Sequence, residues 1–353
     1  MAVNKKNTKT VRLFVLLFCI IFITLKSGTA VTYYWEEPLQ LSRGNGAFPQ
    51  AVLAESGSLS RIVVVWQTYE KNSDGGTVWL SGVVFSNGAS QYLDRFAGPY
   101  IYKGTTVPVL FSLQNNSSGQ VAVAVSSSVD TFEFFILDKN ASAFVKVSET
   151  LLSEPAVLPR LFASSRGGWY IFLTKGQESN LSIVYTVSND GKTWTDILPL
   201  VYESAFSMNF IPSAAFIEGR DFVVFQSITA LPGSERSSFQ LFSKYSDDGG
   251  KSWSEAELIT SFDDPIIKTR SAAFNFDNQR PVLFKYNNEL YLAWERRQLV
   301  TQGTSQIYLM QLDREGKPKL KTVERVSSGL GNCSDPRLFE MNNTLGISWI
   351  DDR

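Results

Sequence analysis

The 353-residue chain contains no histidine. That absence removes Ser-His-Asp and Cys-His catalysis and any histidine-ligated metal site, leaving acid–base chemistry to Asp, Glu, Tyr or Lys. Cysteine is nearly as scarce, with two residues. Cys19 lies in an apolar run at the N-terminus, so once that run is removed Cys333 stands alone and no intramolecular disulfide can form. Neither sign of charge dominates: 33 basic residues face 34 acidic ones, and neither forms a long run. Electrostatic capture of nucleic acid or of an anionic membrane is therefore not expected. No cofactor-binding or metal-ligating constellation is present either.

What the chain does have is apolar and aromatic material, 44% and 13% of its residues. At the N-terminus, Lys5, Lys6, Lys9 and Arg12 precede the uninterrupted apolar run Leu13–Leu25, and Ser27-Gly28-Thr29-Ala30 follows. This order is that of a secretory signal cut after Ala30. The run is shorter than the ~20 residues a spanning helix needs, although an uncleaved anchor is the alternative. More apolar residues follow Cys19, which argues against a lipoprotein cut there. Residues 1–30 are thus expected to be a signal peptide and 31–353 an exported domain, periplasmic, cell-surface or secreted, with no membrane span after cleavage. Asn115, Asn116, Asn140, Asn180, Asn332 and Asn342 each open an Asn-x-Ser/Thr sequon, relevant only in a eukaryotic secretory route.

From residue 31 onward a single pattern recurs six times: a proline near the start of a short apolar strand, a polar turn, and a second apolar strand often ending in an aromatic. The prolines are Pro49, Pro108, Pro159, Pro212, Pro281 and Pro336, spaced by roughly 50 to 70 residues. That interval suits one four-stranded antiparallel sheet per repeat, and proline at the first residue of a strand costs no ladder bond. Second strands such as Ile62–Trp66 and Leu290–Trp294 read as apolar throughout, as a strand covered on both faces must. The fold class expected is all-β, a β-propeller of about six four-stranded blades.

Two repeats continue from a third strand into a polar turn. Ser246-Asp247-Asp248-Gly249-Gly250-Lys251-Ser252-Trp253 fits S-x-D-x-G-x-S/T-W, and Ser188-Asn189-Asp190-Gly191-Lys192-Thr193-Trp194 is one residue shorter. Ser73–Trp79 is a degenerate copy out of phase with its repeat. Short Ser and Asp side chains accept bonds from turn amides, glycine supplies positive φ, and the Trp ring folds back between sheets. Ser188, Asp190, Gly191, Trp194, Ser246, Asp248, Gly250 and Trp253 are accordingly expected to be structural; as calcium loops they are too short and too poor in carboxylates.

These turns resemble the Asp-box (BNR) repeats of sialidases and of related non-enzymatic propellers. The resemblance runs from about residue 31 to the end and implies the fold more than an activity. Sialidases carry an arginine clamp for the substrate carboxylate, an acid/base Asp and a Tyr–Glu nucleophile pair, and here the pattern breaks. Ala47 stands where the first clamp arginine belongs, and Val65-Trp66-Gln67-Thr68-Tyr69 lacks the Asp. Arg160, Arg280 and Arg337 recur at equivalent repeat positions and are either ligand contacts for an anion or strand-end partners of carboxylates. Glu295-Arg296-Arg297 reads as a solvated loop. Trp169 and Tyr291 are either sugar-stacking aromatics or core.

The last repeat stops after two strands, at Trp349-Ile350-Asp351-Asp352-Arg353. Tyr34–Ser42 resembles a fourth strand lacking a sheet of its own and is expected to complete that repeat, removing an exposed edge; continuation of the protein beyond Arg353 is the other expectation. The resulting functional expectation is a non-catalytic binding or scaffold propeller that holds a glycan or protein partner. A sialidase-type hydrolase with a diverged site is the first alternative. The sensor or adhesion ectodomain of a longer membrane protein is the second.

Overall fold

A computed structural model describes residues 19–22, 41, 45–56, 59–86, 89–104, 106–177, 180–201, 208–267, 272–299, 303–328, 331–341 and 343–352. It is all-β: among the described residues the only helical pieces are 3₁₀ turns at Ala273–Asn275 and Leu320–Thr322. Among the described residues no helix is long and apolar enough to cross a membrane.

An isolated strand, β1 (Cys19–Phe22), comes first. The first sheet runs β2 (Gly46–Ser56), β3 (Leu59–Asn72), β4 (Gly75–Ser86) and β5 (Ala89–Lys103); the second β6 (Phe111–Asn115), β7 (Val121–Ser126), β8 (Thr131–Leu137) and β9 (Phe144–Leu151). The third is β10 (Val157–Ala163), β11 (Trp169–Gln177), β12 (Asn180–Ser188) and β13 (Leu198–Pro199). The fourth is β14 (Phe210–Ile217), β15 (Arg220–Ala230), β16 (Ser237–Ser246) and β17 (Glu257–Leu258). The fifth is β18 (Phe276–Tyr286), β19 (Glu289–Gln298), β20 (Ser305–Leu312) and β21 (Glu324–Arg325); the sixth holds β22 (Cys333–Met341) and β23 (Thr344–Asp351), with β1 on the free side of β23. Consecutive sheets, each a meander of strands in chain order, are the blades of a β-propeller. The final blade gains a third strand from the N-terminal region, supplied by a different segment from the one expected. Cys19 pairs with Trp349 and Phe22 with Gly346, antiparallel. Of the expected Tyr34–Ser42 segment only Leu41 is among the described residues. The apolar, β-branched run at Cys19–Phe22 suits strand pairing and supplies the ladder bonds that the β23 edge otherwise lacks.

By contacts the chain divides into two compact units. The described residues of Val31–Ala163 and Ser188–Asp196 form the first, and those of Leu16–Ala30, Ser164–Val187 and Ile197–Arg353 the second. Side-chain alternation explains why the second strand of a blade is apolar throughout. In the first unit Val63 and Val65 join a core with Leu80, Phe111, Val123 and Phe135, while Val64 and Trp66 point the other way and pack with Val83 and Phe85. In the second unit Leu290, Leu292 and Trp294 pack with Phe222 and Val224, whereas Tyr291 and Ala293 pack with Ile347 and Trp349. Period-2 alternation with both faces covered demands an apolar residue at every position. Trp169 and Tyr291 are core by the same logic, at 1% and 7% exposure, and are no sugar platforms.

The recurring proline marks a bulge inside the strand rather than its first residue. Register shifts fall between Ala47 and Gln50, Phe210 and Ser213, Gln279 and Val282, and Ser334 and Arg337. At each of these prolines, and at Pro159, the preceding residue is left-handed: Phe48 (φ 53°), Leu158 (58°), Ile211 (52°), Arg280 (49°) and Asp335 (50°). A bulge tolerates proline because it interrupts the ladder anyway. The second repeat differs, its strand starting three residues after Pro108.

Left-handed non-glycine backbone costs on the order of 1–3 kcal/mol, so something must hold it. In the second unit the backbone N–H of Arg280 donates to Gln226 Oε1 and that of Asp335 to Glu295 Oε1, both at 2.8 Å. In the first unit Gln67 plays a related part, accepting from the N–H of Leu110 and donating to the Pro108 carbonyl, each at 2.8 Å. All three polar residues follow the aromatic of a second strand (Trp66-Gln67, Phe225-Gln226, Trp294-Glu295) and are buried. A buried amide or carboxylate is retained where it has partners to satisfy it.

Candidate functional site

The three sequence-predicted arginines lie in first strands: Arg160 half-buried in β10 of the first unit, Arg280 in β18 and Arg337 in β22 of the second. Arg280 Nη1 donates to both carboxylate oxygens of Glu295 at 2.9 and 2.8 Å, with the Arg280 side chain 45% exposed and that of Glu295 8%. Burial pushes the Glu295 carboxyl up despite this pairing. Arg337 is exposed.

The expectation of a solvated loop at Glu295-Arg296-Arg297 is corrected by the structure. These residues continue β19, with Glu295 and Arg296 at 6% and 2% exposure. Arg296 Nε lies 3.0 Å from Asp264 Oδ2, Nη1 donates to Asn278 Oδ1 at 3.1 Å, and the guanidinium stacks 4.0 Å over the Phe276 ring. A buried cation is tolerable only when paired and hydrogen-bonded in this way. Three charged residues in a row suggest solvent, and only the tertiary structure reveals the partners.

At the Ser188–Trp194 turn, Ser188 Oγ accepts from Gly191 N at 2.8 Å and Asp190 Oδ1 from Lys192 N at 2.8 Å. Trp194 sits edge-on to Phe132 and Phe134, with centroids 5.2 and 5.1 Å away. At the Ser246–Trp253 turn, Ser246 Oγ accepts from Gly250 N at 2.8 Å, and Asp248 accepts from Ser252 N at 3.0 Å and from Ser252 Oγ at 2.6 Å. These bonds to the ionised form hold Asp248 down at about 2. Both aspartates are engaged with their own turn amides.

A Tyr–Glu contact does occur: Tyr100 on β5 donates to Glu133 on β8. Burial first, and then Glu133, raise the phenol far above its ordinary value, the reverse of what an activated phenolate nucleophile needs. Glu133 is also bound by Lys146 at 3.0 Å. Among the described residues no group of three or more Cys, Asp or Glu is arranged to hold a metal.

A cavity of about 600 Å³ opens on the first sheet, lined by Leu41, Asn45, Trp66, Thr68, Tyr69, Glu70, Ser81, Gly82, Tyr92, Leu93, Asp94 and Arg95. It belongs wholly to the first unit. Its shape follows from an irregular fourth strand. Leu80 pairs with Ala97 but Gly82 with Leu93, so Asp94, Arg95 and Phe96 of β5 oppose Ser81 alone. Arg95 is left-handed (φ 43°), and its N–H donates to Ser81 Oγ at 3.1 Å. Phe96 turns inward and stacks on Phe144 at 4.5 Å, leaving Asp94 and Arg95 on the cavity. Bulges of this kind re-aim side chains.

The cavity combines an aromatic wall with a polar rim. Trp66 is 6% exposed and Tyr92 44%. Arg95 Nη2 pairs with Glu70 Oε1 at 2.9 Å while its guanidinium lies 4.1 Å over the Trp79 ring. Ser81 Oγ reaches Asp94 Oδ1 only at 3.5 Å, which leaves that carboxylate with acceptor capacity to spare. The sequence reading passed over this site because its residues are scattered between 41 and 95 and match no motif. The one local signal is Tyr92-Leu93-Asp94-Arg95, where an otherwise alternating strand pattern breaks.

No family model and no curated protein matches the chain. Solved structures do. A protein of unknown function from Dyadobacter fermentans DSM 18053 is similar over 87% of this chain and 95% of its own, at 12% identity and a TM-score of 0.51. An α-L-arabinanase from Penicillium chrysogenum complexed with arabinobiose aligns over 87% of this chain and 98% of its own, at 11% identity and 0.47. The polysaccharide lyase Uly1 aligns over 93% and 94%, at 12% identity and 0.46. At such identities the first likeness is one of fold alone.

Proposed function

We propose that the chain is an exported, non-catalytic glycan-binding propeller whose ligand sits in the first-sheet cavity. The observation that carries this reading is the cavity itself: about 600 Å³, within the size range of small-ligand sites, walled by Tyr69, Tyr92 and a small exposed part of Trp66 and rimmed by Asn45, Thr68, Glu70, Asp94 and Arg95. Aromatic rings offer an apolar face to sugar C–H groups, and amide, hydroxyl and carboxylate groups bond the hydroxyls that fix orientation. The non-catalytic part rests on the engaged turn aspartates and on the missing clamp arginine at Ala47. Export rests on the order of basic, apolar and small residues before Val31. A sialidase-type activity is the alternative; Ala47 in place of the first clamp arginine and the Asp-free strand Val65-Trp66-Gln67-Thr68-Tyr69 argue against it.

The test is a glycan array followed by calorimetry on the best binder, with Tyr92→Ala alongside wild type. Tyr92 is 44% exposed, so its truncation leaves stability nearly unchanged while binding falls roughly two- to tenfold, the loss of one stacked ring. Silence across the array, or binding that Tyr92→Ala leaves intact, removes this reading.

A further inference from the structure

We infer that the first-sheet cavity selects neutral sugars and rejects acidic ones, with Asp94 as the residue that discriminates. This rests on the glycan-binding reading of the same cavity and extends it to the class of ligand. Three charged side chains line the cavity: Glu70, Asp94 and Arg95. Two of them cancel. Arg95 holds Glu70 at 2.9 Å, and its guanidinium lies 4.1 Å from the centre of the Trp79 ring, so among the described residues of the lining the one cation is paired with the other anion.

Asp94 is left as the uncompensated charge. Its one hydrogen bond is the 3.5 Å approach of Ser81 Oγ, and the side chain is exposed on the cavity. The backbone puts it there by construction. The three-residue bulge opposite Ser81, with Arg95 left-handed and Phe96 anchored on Phe144, accompanies an exposed Asp94 on the cavity lining. An acceptor-only carboxylate suits a ligand rich in hydroxyl donors. The same carboxylate repels a uronate or sialate carboxylate, and among the described residues of the lining the one cation, Arg95, is already shared with Glu70.

The experiment compares, by calorimetry on the whole chain, the tightest neutral binder from the array with a uronate oligosaccharide of equal length, at low and at high salt. Two like charges a few ångströms apart at a solvated rim are worth roughly a fivefold difference in affinity. The neutral sugar is therefore expected to bind at least about fivefold tighter at low salt, with the gap narrowing as salt screens the repulsion. Asp94→Asn, which keeps the shape and one acceptor, is expected to raise uronate affinity toward the neutral value and to abolish the salt dependence. Equal or tighter uronate binding by wild type, or a gap unaffected by both salt and Asp94→Asn, overturns the assignment while leaving glycan binding in place. Absence of binding to either sugar class instead removes the underlying function.

Discussion

Glu295 joins two successive first strands: one of its oxygens accepts the backbone N–H of Asp335 at 2.8 Å while both hold Arg280. Replacing it separates the two roles. Glu295→Gln keeps an acceptor for the Asp335 amide and gives up an ion pair whose cation is 45% exposed, a loss of about 1 kcal/mol or less. Glu295→Ala strands a buried N–H at a left-handed residue and is expected to cost about 1–3 kcal/mol more. Urea denaturation of the two variants against wild type measures the difference; equal losses would mean that the amide bond contributes nothing.

The same residue sets a pH dependence. Because burial raises the Glu295 carboxyl in the folded state, the native chain binds that proton more tightly than the unfolded one. Its contribution therefore favours folding below the ordinary glutamate range, declines as pH rises through the folded value, and is flat beyond. Asp248 has the opposite sign. Held at about 2 against an ordinary 3.8, it contributes stability above about pH 4 that is lost as pH falls toward 2. Melting temperatures between pH 2 and 7 for Asp248→Asn should show a shallower acid limb than wild type, and for Glu295→Gln a steeper one.

Arg95 is strained for a purpose that can be tested apart from stability. Arg95→Gly relieves a left-handed φ of 43°, a gain of roughly 1–2 kcal/mol, while losing an exposed ion pair and adding about 0.5–1 kcal/mol of unfolded-chain entropy. These nearly cancel, so the unfolding midpoint should barely move. Binding should fall nonetheless, because the bulge that presents Asp94 is no longer stiff. A large drop in stability would show that the Arg95 contacts matter more than its backbone.

The strand β1 lies within the apolar run read as a secretory signal. A chain cut after Ala30 has no β1, and the β23 edge then needs another partner. Tyr34–Ser42 is expected to take that place. Hydrogen exchange should show the Leu345–Trp349 amides as well protected in a chain starting at Val31 as in the full one, and deprotected in a chain starting at Arg43. Loss of protection already in the Val31 chain would rule that replacement out.

The blade count was legible because its signal is physical and repeated: apolar second strands covered on both faces admit no polar alternation, and proline recurs in or just before the first strand of each repeat. The left-handed residue before each proline was not legible. Phe48, Leu158, Ile211 and Arg280 are of types that rarely adopt positive φ, and only Asp335 belongs to a type enriched there. Gln67, Gln226 and Glu295 were visible as letters after an aromatic, but their meaning lies in an amide 40 to 54 residues downstream. The cavity was hidden for a similar reason, since the register shift that presents Asp94 emerges only when β4 and β5 pair.

The direction of those downstream bonds bears on how the chain is made. Synthesis delivers Gln226 before Arg280 and Glu295 before Asp335, so each half-built blade waits with an unsatisfied polar side chain at its apolar centre until the next one emerges. A chain released with one blade missing therefore leaves Gln226 or Glu295 without the amide that it holds in the folded protein.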